Sequence, residues 1–458
     1  MSSSAEVVDK TAAVLRAADV PGPSAWLFPL GVLRARKNLL RAFTEMHRQW
    51  GNFVRFGVPY RRAYFINEPE LIREVLVSSA PMFEKDRALK LTKIVLGEGL
   101  LTNEGASHRR QRKLAAPAFH KQRIASYAET MLHLSGVTAA RWEDGARVDM
   151  DQEMMKLTLA IVAKTLFDAD VNDKADDIGH AMEVLMTNFP RVANPFVRLT
   201  LMLPLKANKE IFDAKDRIDA VIYRLIGERR ATGRDHGDLL SMLLAAQDED
   251  DGTGMTDTQV RDEAITLFLA GHETTANVLA WAFYLLSQNP EAEARLHEEV
   301  DRAQFDGQPA MSLFMQLPYT RQVIAETMRL YPPAHTLARL LTKDMVLGGY
   351  ALEKGATICF CPYIMHRDER YWPEPERFDP GRWTPEEEEK RPKFTYFPFG
   401  GGPRTCIGEQ FAWMEGVLAL ARLAKEWRAT LVPGHPIDTY PLITLRPRHG
   451  IGMTLHRR

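Results

Sequence analysis

The sequence predicts a mainly α fold with small β-sheets, and three features of the chain carry that prediction. From about Pro69 to Asn289 apolar residues recur at helical spacing, with breaks near Gly97 to Gly105, Glu143 to Gly145 and Gln247 to Gly254. Before that stretch, Asn52 to Phe65 reads as strands, with Val54, Phe56, Tyr64 and Phe65 flanking a turn region at Gly57 to Arg62. After Pro332 the texture changes to short strands, turns and loops, including Gly348 and Gly349, Lys354 and Gly355, and a proline-dense stretch from Pro373 to Pro392. One late helix is expected after Cys406, and strand-like segments return around Ala429 to Val432 and Leu442 to Leu445.

Composition limits what such a fold can do. Hydrophobic residues make up 45% of the 458 positions and charged residues 26%, which excludes wholesale disorder. The 59 Lys and Arg nearly cancel 60 Asp and Glu, so there is no global electrostatic footprint for nucleic acid. Three cysteines, Cys359, Cys361 and Cys406, are too few for a disulfide framework and fit a reducing, cytoplasmic setting. Met1 to Lys10 carries Glu6 and Asp9 and does not resemble a secretory signal. The apolar stretch Trp26 to Leu33 is broken by Pro29 and Gly31, where a membrane-spanning helix needs roughly 20 apolar residues, so no transmembrane anchor is expected.

The clearest helix starts after Thr256, whose spacing to Gln259 fits a capping box, and can run to Asn289 before Pro290. Ile265, Leu267, Phe268, Leu269, Val278, Leu279, Trp281, Phe283 and Leu285 make it apolar on nearly every side, which predicts a helix buried in the middle of the fold. Ala270, Gly271, His272, Glu273, Thr274 and Thr275 interrupt that run. Gly costs about 1 kcal/mol relative to Ala inside a helix, and a Thr hydroxyl bonded one turn back bends it, so these residues can open a notch. An acid beside an alcohol in a buried notch suits proton relay to a bound ligand; a kinked core helix with a satisfied Glu fits the same residues. A zinc-protease motif is excluded because position 276 is Ala276.

The strongest constellation runs from Phe399 through Gly400, Gly401, Gly402, Pro403, Arg404, Thr405, Cys406 and Ile407 to Gly408. Successive glycines allow unusual backbone angles, and the apolar segment from Ile407 to Arg422 predicts a buried helix with Cys406 at or near its N-terminus. There the helix dipole and free N–H groups favour a thiolate, the form that ligates metal. Cys359 and Cys361, on an apolar strand-like run, read as structural.

Phe399-x-x-Gly402-x-Arg404-x-Cys406-x-Gly408 resembles the haem-binding loop of the cytochrome P-450 superfamily, in which the cysteine is the proximal iron ligand. Further motifs follow the family's order. Ala270-Gly271-His272-Glu273-Thr274-Thr275 resembles the oxygen-activation signature, and Glu326-x-x-Arg329 matches the family's helical Glu/Arg pair, placed on one helix face by its spacing. Phe378-Asp379-Pro380-Gly381-Arg382-Trp383 is similar to the element whose arginine joins that pair, with Gly381 in place of the usual Glu. His108 and Arg112 stand where the family often has Trp-x-x-x-Arg.

The resemblance implies the cytochrome P-450 fold over 1–458 as one domain. Its β-rich corner is at about 52–66, its helical bulk at about 69–331, and its β/loop region with the cysteine loop at about 332–458. It implies haem b with Cys406 as the axial ligand, Phe399 and Gly408 in the cofactor loop, and Arg112, Arg339, Arg404 and His108 as candidates for the haem propionates. Glu273 and Thr274 would manage protons during insertion of one oxygen atom into a hydrophobic substrate, and Glu326, Arg329 and Arg382 would form a structural cluster. By family position Phe268, Ala270, His335 and Leu337, the loop from Phe83 to Leu101 and the segment from Leu185 to Leu203 line the pocket, with Lys85, Arg87, Lys90 or His335 available to a substrate carboxylate. Fatty acids, terpenoids, steroids and polyketides fit such a pocket.

The haem domain takes up the whole length, so electrons are expected from a separate ferredoxin or flavodoxin with its NAD(P)H-dependent reductase, the enzyme itself acting as a monomer. Arg109, Arg110, Lys113, Lys121 and Arg123 could meet such an acidic partner, or form an ordinary solvated helix face. Two other functions remain to be weighed: a haem-thiolate peroxygenase or isomerase, and a non-catalytic haem or gas-binding protein.

Overall fold

The computed structural model describes residues 14–24, 39–58, 61–168, 197–248 and 252–458, and between these 179, 181, 183–185, 187, 188 and 191. The expectations for Met1 to Lys10 and Trp26 to Leu33, and part of that for Leu185 to Leu203, lie outside the described residues.

The central helix spans Asp257–Gln288. Its capping box forms as the sequence predicts: the Gln259 N–H donates to Thr256 Oγ1 at 3.2 Å, and the Thr256 N–H donates to Gln259 Oε1 at 2.9 Å. The helix is continuous through the Gly271–Thr275 notch and stops at Asn289, before Pro290. Between Val260 and Leu286 every position is buried except Ala270, Gly271, Thr274 and Tyr284. Against it lie the Met150–Phe167 helix and the cysteine helix, Glu409–Glu426. Gly271 permits the first approach, since a Cβ there would meet Val162 Cγ2 at 3.1 Å. The cysteine helix also packs along Lys121–Arg141, so the apolar segment read after Cys406 is sandwiched between two helices.

The main sheet has the strand order Phe53–Val58, Arg61–Ile66, Thr357–Phe360, Leu337–Leu341, Phe83–Lys85. The first two form the hairpin read from the sequence, and Arg61–Ile66 runs parallel to Thr357–Phe360. Phe83–Lys85 falls in the stretch read as helical. It is held by antiparallel pairing with Leu337–Leu341, a partner remote in the chain that leaves no local pattern. Arg147–Asp149 pairs with Gly452–Arg457 in the same way, and Trp427–Leu431 completes that sheet. The segment expected as a strand at Leu442 to Leu445 is instead mostly the connection between the strands Thr439–Pro441 and Leu445–Pro447. Among the described residues no helix is long and apolar enough to cross a membrane.

Candidate active site

On the central helix, Ala270 is exposed and Gly271 and Thr274 are half-buried within an otherwise sealed surface. Spacings of one and four residues place them on one face, so between Val260 and Phe283 the helix is open only at the notch. Thr274 Oγ1 donates to the Ala270 carbonyl at 2.7 Å, the back-bond expected of a helical threonine. Glu273, one residue earlier, points elsewhere: it is buried, and its Oε1 accepts from Arg446 Nε at 2.6 Å and from Thr444 Oγ1. His272 Nε2 lies 3.1 Å from the Met155 carbonyl, and burial holds its imidazole neutral, down to about 4. Asp151, at the start of the Met150–Phe167 helix, faces the same electrostatic group. Burial pushes its carboxyl up to about 7, with Arg446 opposing and Asp149, Glu273 and Glu183 adding to the rise.

In the cysteine loop, Gly400 and Gly402 adopt φ of 74° and 68°. Gly402 passes so close to the chain at Leu76 that a Cβ would lie 1.9 Å from the Leu76 carbonyl oxygen, which explains a glycine there on two grounds. The turn closes with the Cys406 N–H donating to the Phe399 carbonyl at 3.0 Å. Cys406 is exposed, whereas Cys359 and Cys361 are buried. Burial of the surroundings still pushes its thiol up, against the Gly408 N–H and Arg112, which favour the thiolate. The helix begins three residues later, at Glu409, so its dipole acts at a greater distance than the sequence suggests. Cys361 is different in kind: its Sγ donates to the His335 carbonyl at 2.9 Å, and burial takes its thiol up to about 11.

Around this loop the cations crowd together. Lys85 and Arg339 are directly opposed across the antiparallel pair, on one face of the sheet. Burial first, then Arg339 and Arg404, press the Lys85 ammonium down to about 7. Burial and Arg404 bring Arg339 down to about 10, and its guanidinium donates to the neighbouring Ala338 carbonyl at 3.0 Å. His108 is buried and held down to about 3 by burial and by Arg404, Lys85, Arg112 and Arg109. Arg404 donates to the Asn103 carbonyl at 2.8 Å and pairs with Glu104. Like charges gathered at low exposure call for anions, and a cofactor bearing two carboxylates and needing a thiolate would meet that demand. Arg112, His108, Arg339 and Arg404 are thus brought together; Lys85, read from sequence toward substrate, joins them.

The Glu/Arg cluster also assembles. Arg329 and Glu326 are both fully buried and joined twice, at 2.8 Å each. Arg329 further donates to the carbonyls of His366, Pro375 and Arg377, while Glu326 accepts from the Asp379 N–H and Trp383 Nε1 at 2.9 Å each. Arg382 Nε stands 3.5 Å from Glu326 Oε1.

Other expectations change. His335 is buried with Nε2 at 3.1 Å from the Leu442 carbonyl and Nδ1 at 3.0 Å from Thr336 Oγ1, and burial lowers it to about 4; a neutral, engaged imidazole is a poor anchor for a substrate carboxylate. Lys90 is paired with Glu84 at 2.5 Å. Phe268 is buried against Phe167, with ring centroids 5.7 Å apart, whereas Leu337 is half-buried. Of the basic surface, Arg110 turns inward to Asp248 at 2.9 Å and Arg123 to the Gly237 carbonyl, leaving Arg109, Lys113 and Lys121 exposed. Sequence reasoning missed Arg446, Thr444, Asp151 and Glu104. Each acts through a partner distant in the chain, so no local motif marks it.

An α-rich fold crossed by a notched helix, with an accessible cysteine in a glycine loop beside clustered cations, defines a haem-thiolate protein. The cytochrome P450 family model matches residues 20–451, and the chain belongs to that family. It is 39% identical over 416 residues to cyclooctatin synthase of Streptomyces melanosporofaciens, with 90% of each chain covered. It is 36% identical to pentalenene oxygenase of Streptomyces avermitilis, covering 86% of this chain and 88% of the relative, and 34% identical to cyclooctat-9-en-7-ol 5-monooxygenase of Streptomyces melanosporofaciens, covering 84% of each. The chain is accordingly a haem-dependent oxygenase.

Proposed function

We propose that the protein is a monooxygenase of hydrophobic, terpenoid-like substrates, with Cys406 as its iron ligand and electrons supplied by a separate redox protein. The observation that carries this reading is the open face at Ala270, Gly271 and Thr274 on a helix otherwise buried from Val260 to Phe283, in a chain that also presents one accessible cysteine. Haem held by a cysteine thiolate supplies dioxygen activation, one atom going to the substrate and the other to water. Arg112, Arg339, Arg404, His108 and Lys85 would hold its carboxylates, and Phe399 and Gly408 would shape the loop under it.

The remaining work belongs to side chains. Thr274 Oγ1 gives its proton to the Ala270 carbonyl, so its lone pairs accept a hydrogen bond; releasing that carbonyl lets it donate instead. Glu273 is held by Arg446 and Thr444, and it takes up a proton and passes it toward Thr274 only when it leaves them. Ala270 presents a small apolar surface on the open face. Two relatives bear the names of a cyclooctatenol and pentalenene as substrates, which favours the terpenoid class over fatty acid, steroid or polyketide. Arg109, Lys113 and Lys121 offer an exposed basic face to an acidic ferredoxin or flavodoxin. We also infer a single domain acting as a monomer.

The test is reconstitution with a ferredoxin, its reductase and NAD(P)H against a panel of cyclic terpenes. Substrate-dependent NAD(P)H consumption with an oxygenated product supports the reading. Turnover with peroxide but none with dioxygen and reductase would replace it with a peroxygenase.

A further inference from the structure

Glu263 lies two turns before the notch and is fully buried. Its Oε2 accepts the Leu100 N–H at 3.0 Å, and its Oε1 has no hydrogen-bond partner among the described residues. The nearest cation on the same helix is already committed: Arg261 donates to Asp219 at 2.6 Å, to Asp262 at 2.9 Å and to the Val95 carbonyl at 3.3 Å. Asp262 in turn accepts the Glu98 N–H at 2.7 Å. Three consecutive helix residues therefore grip the segment around 95–100. The fit leaves no slack, since a Cβ on Gly97 would lie 2.1 Å from Asp262 Oδ1 and one on Gly99 would lie 2.2 Å from Thr266 Oγ1.

The far end of the same segment reaches the cysteine loop. The Asn103 carbonyl and the Glu104 carboxylate bracket Arg404, and Gln111 ties the segment back on itself by donating to the Glu98 carbonyl at 2.8 Å while accepting from Asn103 at 2.8 Å. Residues 97–104 are thus a strap from the central helix to Arg404. An ionised Glu263 would place a second negative charge beside Asp262, at no exposure and with no free cation.

We propose that Glu263 is the positioning residue that seats strap 97–104 on the central helix, and that it does so as a neutral carboxylic acid, holding Leu100 and, through the strap, the bracket around Arg404. Burial, with Asp262 adding and the Leu100 N–H opposing, pushes its carboxyl up to about 8, in keeping with that geometry. The charged groups on the elements packed around it are Arg261 and Asp262 on its own helix, Asp219 on the Lys206–Thr232 helix, and the Lys93–Glu98 pair of 2.9 Å on the strap side, of which Asp262 acts on its carboxyl. Because the folded value is raised, the stabilisation is complete below the ordinary carboxyl range and is lost as pH rises through about 8. The strap therefore loosens as pH climbs from the ordinary carboxyl range toward about 8 and no further above it.

Hydrogen exchange of residues 97–104 in the full-length holoenzyme, corrected for intrinsic rates, tests this from about pH 6 to about pH 10. In the wild type, protection of the Leu100 amide should fall by up to about tenfold per pH unit as pH rises toward about 8 and level off above it. Glu263→Gln keeps an acceptor for Leu100 and carries no charge, so its protection should stay level; Glu263→Ala should be unprotected throughout. Haem loss to apomyoglobin should show the same acceleration as pH rises toward about 8 in the wild type and none in Glu263→Gln. Identical pH profiles for wild type and Glu263→Gln, or a Gln variant as unprotected as the Ala variant, would overturn the proposal. If Glu263→Ala does not fold, the wild-type and Gln pair alone decides.

Discussion

Two buried glutamate–arginine pairs do opposite jobs in this molecule. At Glu326–Arg329 both side chains are fully buried and almost every polar atom is spoken for, by each other, by three carbonyls, by the Asp379 N–H and by the Trp383 indole. At Glu273–Arg446 the contact is a single 2.6 Å bond reinforced by Thr444, Arg446 keeps 15% of its side-chain surface, and a further buried acid, Asp151, has an oxygen without a partner nearby. A pair with saturated hydrogen bonding cannot move without a large penalty, whereas one with spare valence can exchange partners and protons. The first fixes residues 366–383 onto the Pro318–Leu330 helix; the second leaves room for partner exchange beside the notch.

Breaking the saturated pair should have the largest effect on stability. Arg329→Ala strands Glu326 in the core and should cost about 3–5 kcal/mol, read as a lower urea midpoint with poor haem incorporation. A shift near zero would remove the distinction between the pairs. Glu273→Gln should instead leave folding much closer to wild type while product formation falls about 10²-fold and more reducing equivalents go to peroxide or water. Equal losses of stability in the two variants would mean that Glu273 is scaffold as well.

The pH dependence sharpens the contrast further. Burial raises Asp151 to about 7 and Glu415, on the cysteine helix, to about 8. Each raised carboxyl contributes stability that is complete below the ordinary range and lost as pH climbs through those values. Asp151→Asn should therefore flatten part of the decline in urea midpoint between about pH 5 and about pH 8; an unchanged slope would show that Asp151 titrates normally. The smallest effect is expected at the surface, where Arg109→Glu with Lys121→Glu should slow reduction by an acidic ferredoxin a few-fold at low salt and converge with wild type at high salt. Rates that are equal at every salt concentration would remove this face from docking.

What could be read in the sequence was whatever a local pattern encodes. Thr256 and Gln259 announce the start of the central helix, Pro290 its end, and the glycines before Cys406 a turn that only they can make. Lys85 illustrates the other case: nothing around it shows that a strand will pair it with Arg339, so its sequence context suggested a loop charge available to substrate. Arg446 sits in an unremarkable tail and matters only because that tail folds back to Glu273. The basic run from Arg109 to Arg123 looked like one surface, but helical rotation and loops from elsewhere turn Arg110 and Arg123 inward.

We assign the iron to Cys406 and not to the buried strand cysteines, Cys361 and Cys359. The reduced carbon monoxide difference spectrum tests that assignment most directly, recorded on wild type and on Cys406→Ser, Cys361→Ala and Cys359→Ala. Wild type and both strand variants should show the red-shifted Soret band of thiolate ligation, and Cys406→Ser alone should lose it. A band that survives in Cys406→Ser, or disappears in Cys361→Ala with haem still bound, would contradict it.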